Sequence, residues 1–450
     1  MRTPAEALAD RRTRPQRHRL LHGYPMTPLL RAPPPVPDPR TRHHRTLRES
    51  LSLDPTRELI VGVLPHTQCA PTVEGCGFCT FPHDPAEKPS LRHVVHAVGQ
   101  EIAAAPAELR ARSVTAVYLG GATANLTPPA QLRALLTGLG STFSLSGAEI
   151  TLEGVPSLFL AWWGGPLEAL RDGPGAHKRV SMGVQTFDID WLGKMGRLGF
   201  GDRRTVERVV ERAHSYGMTA SGDFLLGLPG RPAADELEDL RVAAELGLDQ
   251  ICVYPLVLAG DTPWARDPAM RAAMPGVEEG RGRWRAACAQ LLAAGYAQTT
   301  LTNFERGAPR FRYEVASFAP DRTDAVGFGP LAISTFVDPA ARRAVKTQRA
   351  RTVEPTNVDL IGLWFPYDAE DLSLLFVTRC LAVLRIDRAR YRAFLGADLL
   401  EHHGPTVQAV VDAGLATLDD EALTLTPDGT WFADAVAGTF AEARAEAVRA

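Results

Sequence analysis

Three of the chain's six cysteines, Cys69, Cys76 and Cys79, fall within eleven residues, in the stretch LPHTQCAPTVEGCGFCTFPHD. Three thiols this close exceed a dithiol redox pair and fall one short of a four-cysteine zinc cage. Two chemistries use such a trio. A zinc ion completes a three-cysteine site with His66 or His83. A 4Fe–4S cluster is held at three of its irons, and the fourth iron stays open to a chelating substrate. Structural zinc sites often come as two Cys-x2-Cys knuckles, and this loop has one. Incidental clustering is the remaining reading. Cys252, Cys288 and Cys380 have no partner in sequence and sit in strand or helix patterns, so they read as small buried hydrophobes.

The elements that must position these thiols alternate. The run ELIVGVLP (58–65) is a β-rich segment leading into the cysteine loop. VTAVYLGG, EITLEG, RVSMGVQTF, TASGDFLLGLP and QICVYPLVL follow as strands, EITLEG succeeded by an apolar stretch and the others by segments of helical periodicity, and YAQTTLTNF is a further strand candidate. Strand and helix in strict turn over about 250 residues imply a parallel sheet, open or closed into a barrel. The strand ends carry Cys69, Gly120-Gly121-Ala122-Thr123, Glu153, Gln185, Asp223, Tyr254 and Asn303. A polar residue at one strand end usually caps a helix. The same pattern at six or seven consecutive strands points to one site at the C-terminal mouth of the sheet.

The chain's 450 residues are 45% hydrophobic and 22% charged, with a net charge of −3, as in ordinary globular proteins. That balance argues against a bulk nucleic-acid or membrane binder. No apolar run reaches the ~18 residues that would span a bilayer. Residues 1–50 are rich in Arg, Pro and His, and read as a flexible or loosely docked arm because prolines interrupt helical periodicity. Without an apolar signal-peptide core, the expectation is a reducing cytoplasm, where clustered cysteines serve as ligands. From about Pro366 the pattern changes to helix, helix, short hairpin near Asp419-Asp420 and final helix. This suits a small winged-helix-like α+β appendage, drawn as 346–450 beside a core of 51–345.

The cysteine loop at the end of the first strand, followed by VYLGGATANLTP, ITLEGVP, SMGVQTFDIDWLGKMGR, GDFLLGLPG, VYPLVLAGDTPW and DAVGFGPLAISTF, resembles the radical SAM superfamily. More closely, it is similar to the branch around oxygen-independent coproporphyrinogen III oxidase. The resemblance implies an α/β fold, a partial (β/α)6 barrel with the C-terminal module. It implies that Cys69, Cys76 and Cys79 ligate a 4Fe–4S cluster and that S-adenosylmethionine (SAM) chelates the open iron. It places Phe78 against adenine, Gly120, Gly121 and Thr123 along the methionyl amine, and Glu153, Gln185, Arg197 and Asp223 at further SAM contacts. Two departures stand out: six residues separate Cys69 from Cys76 where the family usually has three, and the family's tyrosine before the first cysteine is absent.

The branch implies radical chemistry, with SAM cleaved reductively to a 5′-deoxyadenosyl radical and a reductant such as flavodoxin or ferredoxin supplying the electron. The reaction expected here is C-methylation or cyclopropanation at an sp2 carbon of a specialised metabolite, with a second SAM as donor. An oxidative decarboxylase of the coproporphyrinogen type is one alternative, and a haem chaperone, with His66, His83, His402 or His403 as axial ligand, is the other. No residue is assigned as the catalytic acid or base. Concentrated arginines of the kind several propionates would need are absent from the strand ends; RGAPRFRYE, with Arg306, Arg310 and Arg312, is the one candidate.

Overall fold

A computed structural model describes residues 2–18, 54–307, 310–351 and 361–444. Six strands alternate with helices as the sequence predicts: β1 (Glu58–Val63), β2 (Val114–Leu119), β3 (Glu149–Gly154), β4 (His177–Gln185), β5 (Thr219–Leu226) and β6 (Gln250–Pro255). Each pairs in parallel with the next, as from Ile150↔Lys178 to Gly154↔Met182 between β3 and β4. Their outward residues, among them Val117, Ile150, Val180, Ala220 and Ile251, are at most 1% exposed and pack under the crossover helices. The inward residues are polar at every second position: Thr151 and Glu153, Ser181, Ser221 and Asp223, Gln250 and Tyr254. All of these but Thr151 line one cavity, from several strands, so the sheet is curled around them as a partial barrel.

Both barrel edges are extended. YAQTTLTNF is not another parallel strand: it splits into β7 (Ala297–Gln298) and β8 (Asn303–Glu305), a short hairpin whose second strand runs antiparallel to β6. Leu301 N–H donates to Ala382 C=O at 2.8 Å, so that segment serves the C-terminal module instead of continuing the crossover rhythm. On the other side, β9 (Thr323–Phe328) lies parallel to β1, and β10 (Ile333–Asp338), β11 (Arg343–Arg349) and β12 (Ile361–Tyr367) follow antiparallel. The division at 345/346 therefore falls inside β11, and pairing continues through Ala344↔Tyr367. The appendage begins one residue later, where Asp368 caps the helix Ala369–Ala382 in a reciprocal box with Asp371.

That appendage is a three-stranded sheet, in the order Arg385–Asp387, Ala422–Leu425, Ala416–Leu418, wrapped by helices including Arg388–Leu395, Leu399–Asp412 and Ala433–Phe440. It is docked on the barrel: Trp284 Nε1 donates to Thr430 Oγ1 at 3.0 Å. The arm is also more ordered than composition implied. Residues Pro4–Arg12 form a helix with a Thr3/Glu6 capping box, buried through Ala7 and Leu8 against the last helix. The reason is placement of the prolines. Pro4 occupies the first helical turn, where its missing N–H is harmless, and Pro15 follows the end. Residues 19–53 of the expected arm lie outside the described residues. Among the described residues, no helix is long and apolar enough to cross a membrane.

Candidate functional site

The cysteine loop is shaped by backbone that few residues tolerate. Cys69 ends a two-residue strand paired with Asp84–Pro85. Gly75 (φ 54°), Cys76 (φ 52°) and Gly77 (φ 81°) then turn through the left-handed region. A left-handed non-glycine residue such as Cys76 costs about 1–2 kcal/mol, and it is held by Cys76 N–H to Val73 C=O (3.0 Å) and Cys79 N–H to Gly75 C=O (2.7 Å). Gly77 is required for a second reason. A Cβ there would sit 2.1 Å from Trp264 Nε1, the ring that supports the loop together with Phe78 and Trp191.

One cavity of about 390 Å3, within the range of small-molecule sites, gathers most of the residues singled out from sequence. Cys69, Cys76, Cys79, Phe78, Gly121, Glu153, Gln185, Arg197 and Asp223 all line it. Gly120 and Thr123 are not on its wall. A Cβ on Gly120 would lie 2.3 Å from Glu153 Oε2, so that glycine makes room for the carboxylate and not for a ligand's amine. Thr123 Oγ1 donates to Cys69 Sγ at 2.9 Å. Arg197 reaches Cys76 Sγ at 3.5 Å and also donates to Gly183 C=O. The sulfurs of Cys69 and Cys76 thus already receive a donor.

The acids at the mouth are strongly perturbed. Burial, then the nearby Asp223, pushes Glu153 up to about 7, against the Gly121 N–H that it accepts at 3.2 Å. Burial likewise raises Asp223 to about 6, partly offset by a hydrogen bond with Cys252 and by Arg179 and Arg197. Burial raises the Cys69 thiol too, in spite of Thr123. A buried thiol of this kind becomes a thiolate when a metal replaces its proton.

The histidines are arranged differently. His66 is 1% exposed and its Nδ1 accepts from Gln68 N–H at 3.1 Å. His83 lines the cavity with Nδ1 at 3.0 Å from Phe81 C=O. Among the described residues, no three His, Cys, Asp or Glu side chains are grouped to hold a single metal ion. The thiols of Cys69, Cys76 and Cys79 share the wall of one cavity. None of the six cysteines is in a disulfide. An acid pair, a buried arginine and an aromatic wall next to them match the ammonium, carboxylate and adenine of SAM, so the donor set fits both groups.

Sequence reasoning missed Tyr118, Gln250, Cys252, Trp264, Phe311 and Glu314. The strand residues among them follow the polar alternation and were legible that way. Trp264, Phe311 and Glu314 arrive from loops and a short helix, α8 (Arg312–Ser317), that folds into the barrel.

The comparisons with known proteins agree with this geometry. The profile of the Radical SAM superfamily matches residues 73–243. The haem chaperone HemW of Escherichia coli K12 is 25% identical over 294 residues, 62% of this chain and 72% of that protein. HemW of Mycobacterium tuberculosis H37Rv is 26% identical over 376 residues, 81% of this chain and 91% of that one. Anaerobilin synthase of Escherichia coli O157:H7 is 30% identical over 232 residues, about half (49%) of each. Among solved structures, coproporphyrinogen III oxidase (HemN) from Escherichia coli superimposes with a TM-score of 0.72 at 19% identity, over 89% of this chain and 94% of that one. Residues 73–243 therefore match the Radical SAM superfamily, a match that implies a 4Fe–4S cluster and SAM, and the chain takes the fold of HemN.

Proposed function

We propose that Cys69, Cys76 and Cys79 hold the 4Fe–4S cluster and that Phe78, Gly121, Glu153, Gln185, Arg197 and Asp223 hold SAM, with Gly120 and Thr123 supporting them from behind. The reaction is C-methylation or cyclopropanation at an sp2 carbon of a specialised metabolite, with a second SAM as donor. When bound, the cluster and SAM together supply one-electron cleavage of a sulfonium and hydrogen abstraction from an unactivated carbon. A flavodoxin- or ferredoxin-type protein supplies the electron.

The chain's own residues have defined tasks in this reading. Thr123 and Arg197 place hydrogen-bond donors on the sulfurs of Cys69 and Cys76. An ammonium between Glu153 and Asp223 would let both ionise. Phe78, with Trp264 and Trp191 behind it, keeps water from the loop side.

The observation that carries the choice of reaction is the charge of the cavity. Its lining holds Glu153, Asp223 and Glu314, and the lining's basic side chains are Arg197 and His83. Such a wall has too few cations to pair several propionates and accepts an uncharged planar substrate. Arg306 and Arg312 do not supply the missing cations: Arg306 reaches Ala244 C=O, and Arg312 is spent on Gly147 C=O and His177.

The haem chaperone reading rests on the names of the relatives. His402 and His403, further candidates for axial ligands, are tied to Tyr391 and Ser373 by hydrogen bonds of 2.7 Å each, and burial lowers His403 to about 4.

The test is anaerobic turnover with dithionite and SAM, quantifying 5′-deoxyadenosine and S-adenosylhomocysteine with and without heteroaromatic acceptors, and with Cys76→Ala as control. Both products appearing together, dependent on acceptor, support methyl chemistry. 5′-Deoxyadenosine alone moves the chain to oxidation or decarboxylation. Tight haem binding without SAM cleavage makes it a chaperone.

A further inference from the structure

The inner end of the cavity is built from side chains that the cofactor assignments leave unused. Glu314, on α8, lines it beside Phe311, Gln250, Cys252 and Tyr254. Glu314 is 9% exposed, and its Oε2 has no hydrogen-bond partner. Gln250, 1% exposed, likewise leaves Oε1 without a partner, while its amide donates to Cys252 Sγ at 3.3 Å. Two polar atoms buried without partners at the same end of a cavity are each costly to leave unmet. A ligand that bonded both would recover that cost.

The surroundings decide which proton state Glu314 adopts. Glu305 faces it from β8, Asp223 from β5, Tyr254 and Cys252 from β6, Arg179 from β4, and Thr300 hydrogen-bonds to its carboxyl. Arg179, the cation among them, stacks on the Phe311 ring at 4.5 Å and is not part of the cavity lining. Burial first, then Glu305, raises Glu314 to about 8. At neutral pH the group is a carboxylic acid and a hydrogen-bond donor.

We propose that Glu314 selects the acceptor substrate, donating from its carboxylic acid to an unprotonated ring nitrogen, while Gln250 Oε1 accepts from a ring N–H. The ligand class is a planar heteroaromatic ring of the imidazole or benzimidazole type, lying along Phe311 and Tyr254. This rests on the cavity being the reaction chamber, and adds to that reading which ring edge it takes and which residue reads it.

The test is equilibrium dialysis of the full-length chain, loaded with cluster and SAM, against benzimidazole and against indene, its nitrogen-free analogue of the same shape. Wild type is expected to prefer benzimidazole about tenfold. Glu314→Ala is expected to abolish the preference without weakening indene. Glu314→Gln keeps a donor and should retain part of it. Wild-type affinity for benzimidazole should fall as pH rises through about 8, as the donor proton is lost, and the Glu314→Gln profile should be flat from pH 7 to 9.5. The wild-type pH profile does not depend on any variant folding. Equal binding of the two probes by wild type, or a pH-independent wild-type affinity for benzimidazole, overturns the proposal. Because dialysis reads binding alone, a chain that fails to make S-adenosylhomocysteine refutes methyl transfer and leaves this result standing.

Discussion

Gly77→Ala is the sharpest perturbation of the cysteine loop, because it adds one methyl group and removes no functional atom. The added Cβ would lie 2.1–2.5 Å from three atoms of the Trp264 indole, on a backbone at φ +81°. A left-handed residue with a Cβ costs about 1–2 kcal/mol, and overpacking a filled site adds about 1–3 kcal/mol. Trp264 has little room to yield, being 5% exposed and held by Phe78 and Trp191 at ring separations of 5.6 and 5.8 Å. The expected penalty is about 2–5 kcal/mol, a large share of the ~5–15 kcal/mol that holds a folded protein. It falls on the turn that sets Cys76 against Cys79. Two assays read it: the urea midpoint of the cluster-free protein by tryptophan fluorescence, and iron bound per chain after anaerobic reconstitution. Both should drop. Gly99→Ala, on a helix where an added Cβ meets nothing within 4 Å, is the control, expected to gain about 0.5–1 kcal/mol. Wild-type iron content and midpoint in Gly77→Ala would refute the reasoning.

Three further outcomes follow from other parts of the molecule. Asp324 is 1% exposed and accepts from Arg57 Nε (3.0 Å), Arg112 Nη1 (2.9 Å) and Val337 N–H (3.0 Å). Asp324→Ala strands two buried guanidinium groups and is expected to cost about 3–5 kcal/mol in urea unfolding. Glu153 is raised from 4.5 to about 7, so wild type should lose stability relative to Glu153→Gln as pH rises from about 4.5 to 7, with the difference constant on either side; cluster-free protein followed by denaturation across that range checks the sign. His18, buried against Trp284 with Nε2 at 3.0 Å from Trp431 C=O, is lowered from 6.5 to about 4. Its contribution to docking the N-terminal segment is complete above pH 6.5 and is lost as pH falls toward 4, which tryptophan fluorescence should report and His18→Asn should abolish.

The parallel core was legible because its signals are local. Strands such as EITLEG, RVSMGVQ and TASGDF alternate apolar with polar or small residues, and the polar end of each is written in the same few residues that form it. The cysteines, Glu153, Gln185 and Asp223 were found that way, and they do share a cavity. The missing parts depend on partners distant in sequence. YAQTTLTNF has strand composition, but its tight hairpin is fixed by contacts with β6 and by Leu301 bonding to Ala382. Pro4–Arg12 looked unsuited to a helix until its burial against Ala433–Phe440 supplied the stabilisation that so short a helix lacks alone. Glu314 gives no signal in sequence, because its raised pKa comes from burial and from Glu305 and Asp223, brought to it from other strands. Thr123 was legible as a site residue but not in its task, since a hydroxyl pointing at a sulfur 54 residues away leaves no trace in spacing.

The measurement that tests the central claim most directly is anaerobic reconstitution with iron and sulfide, followed by dithionite reduction, electron paramagnetic resonance and assay of SAM cleavage in wild type and Cys76→Ala. The account predicts one 4Fe–4S cluster per wild-type chain, a spectrum that changes when SAM is added, and 5′-deoxyadenosine formation that Cys76→Ala abolishes. A wild-type chain that retains zinc and assembles no cluster, or a Cys76→Ala variant that cleaves SAM as well as wild type, would contradict it.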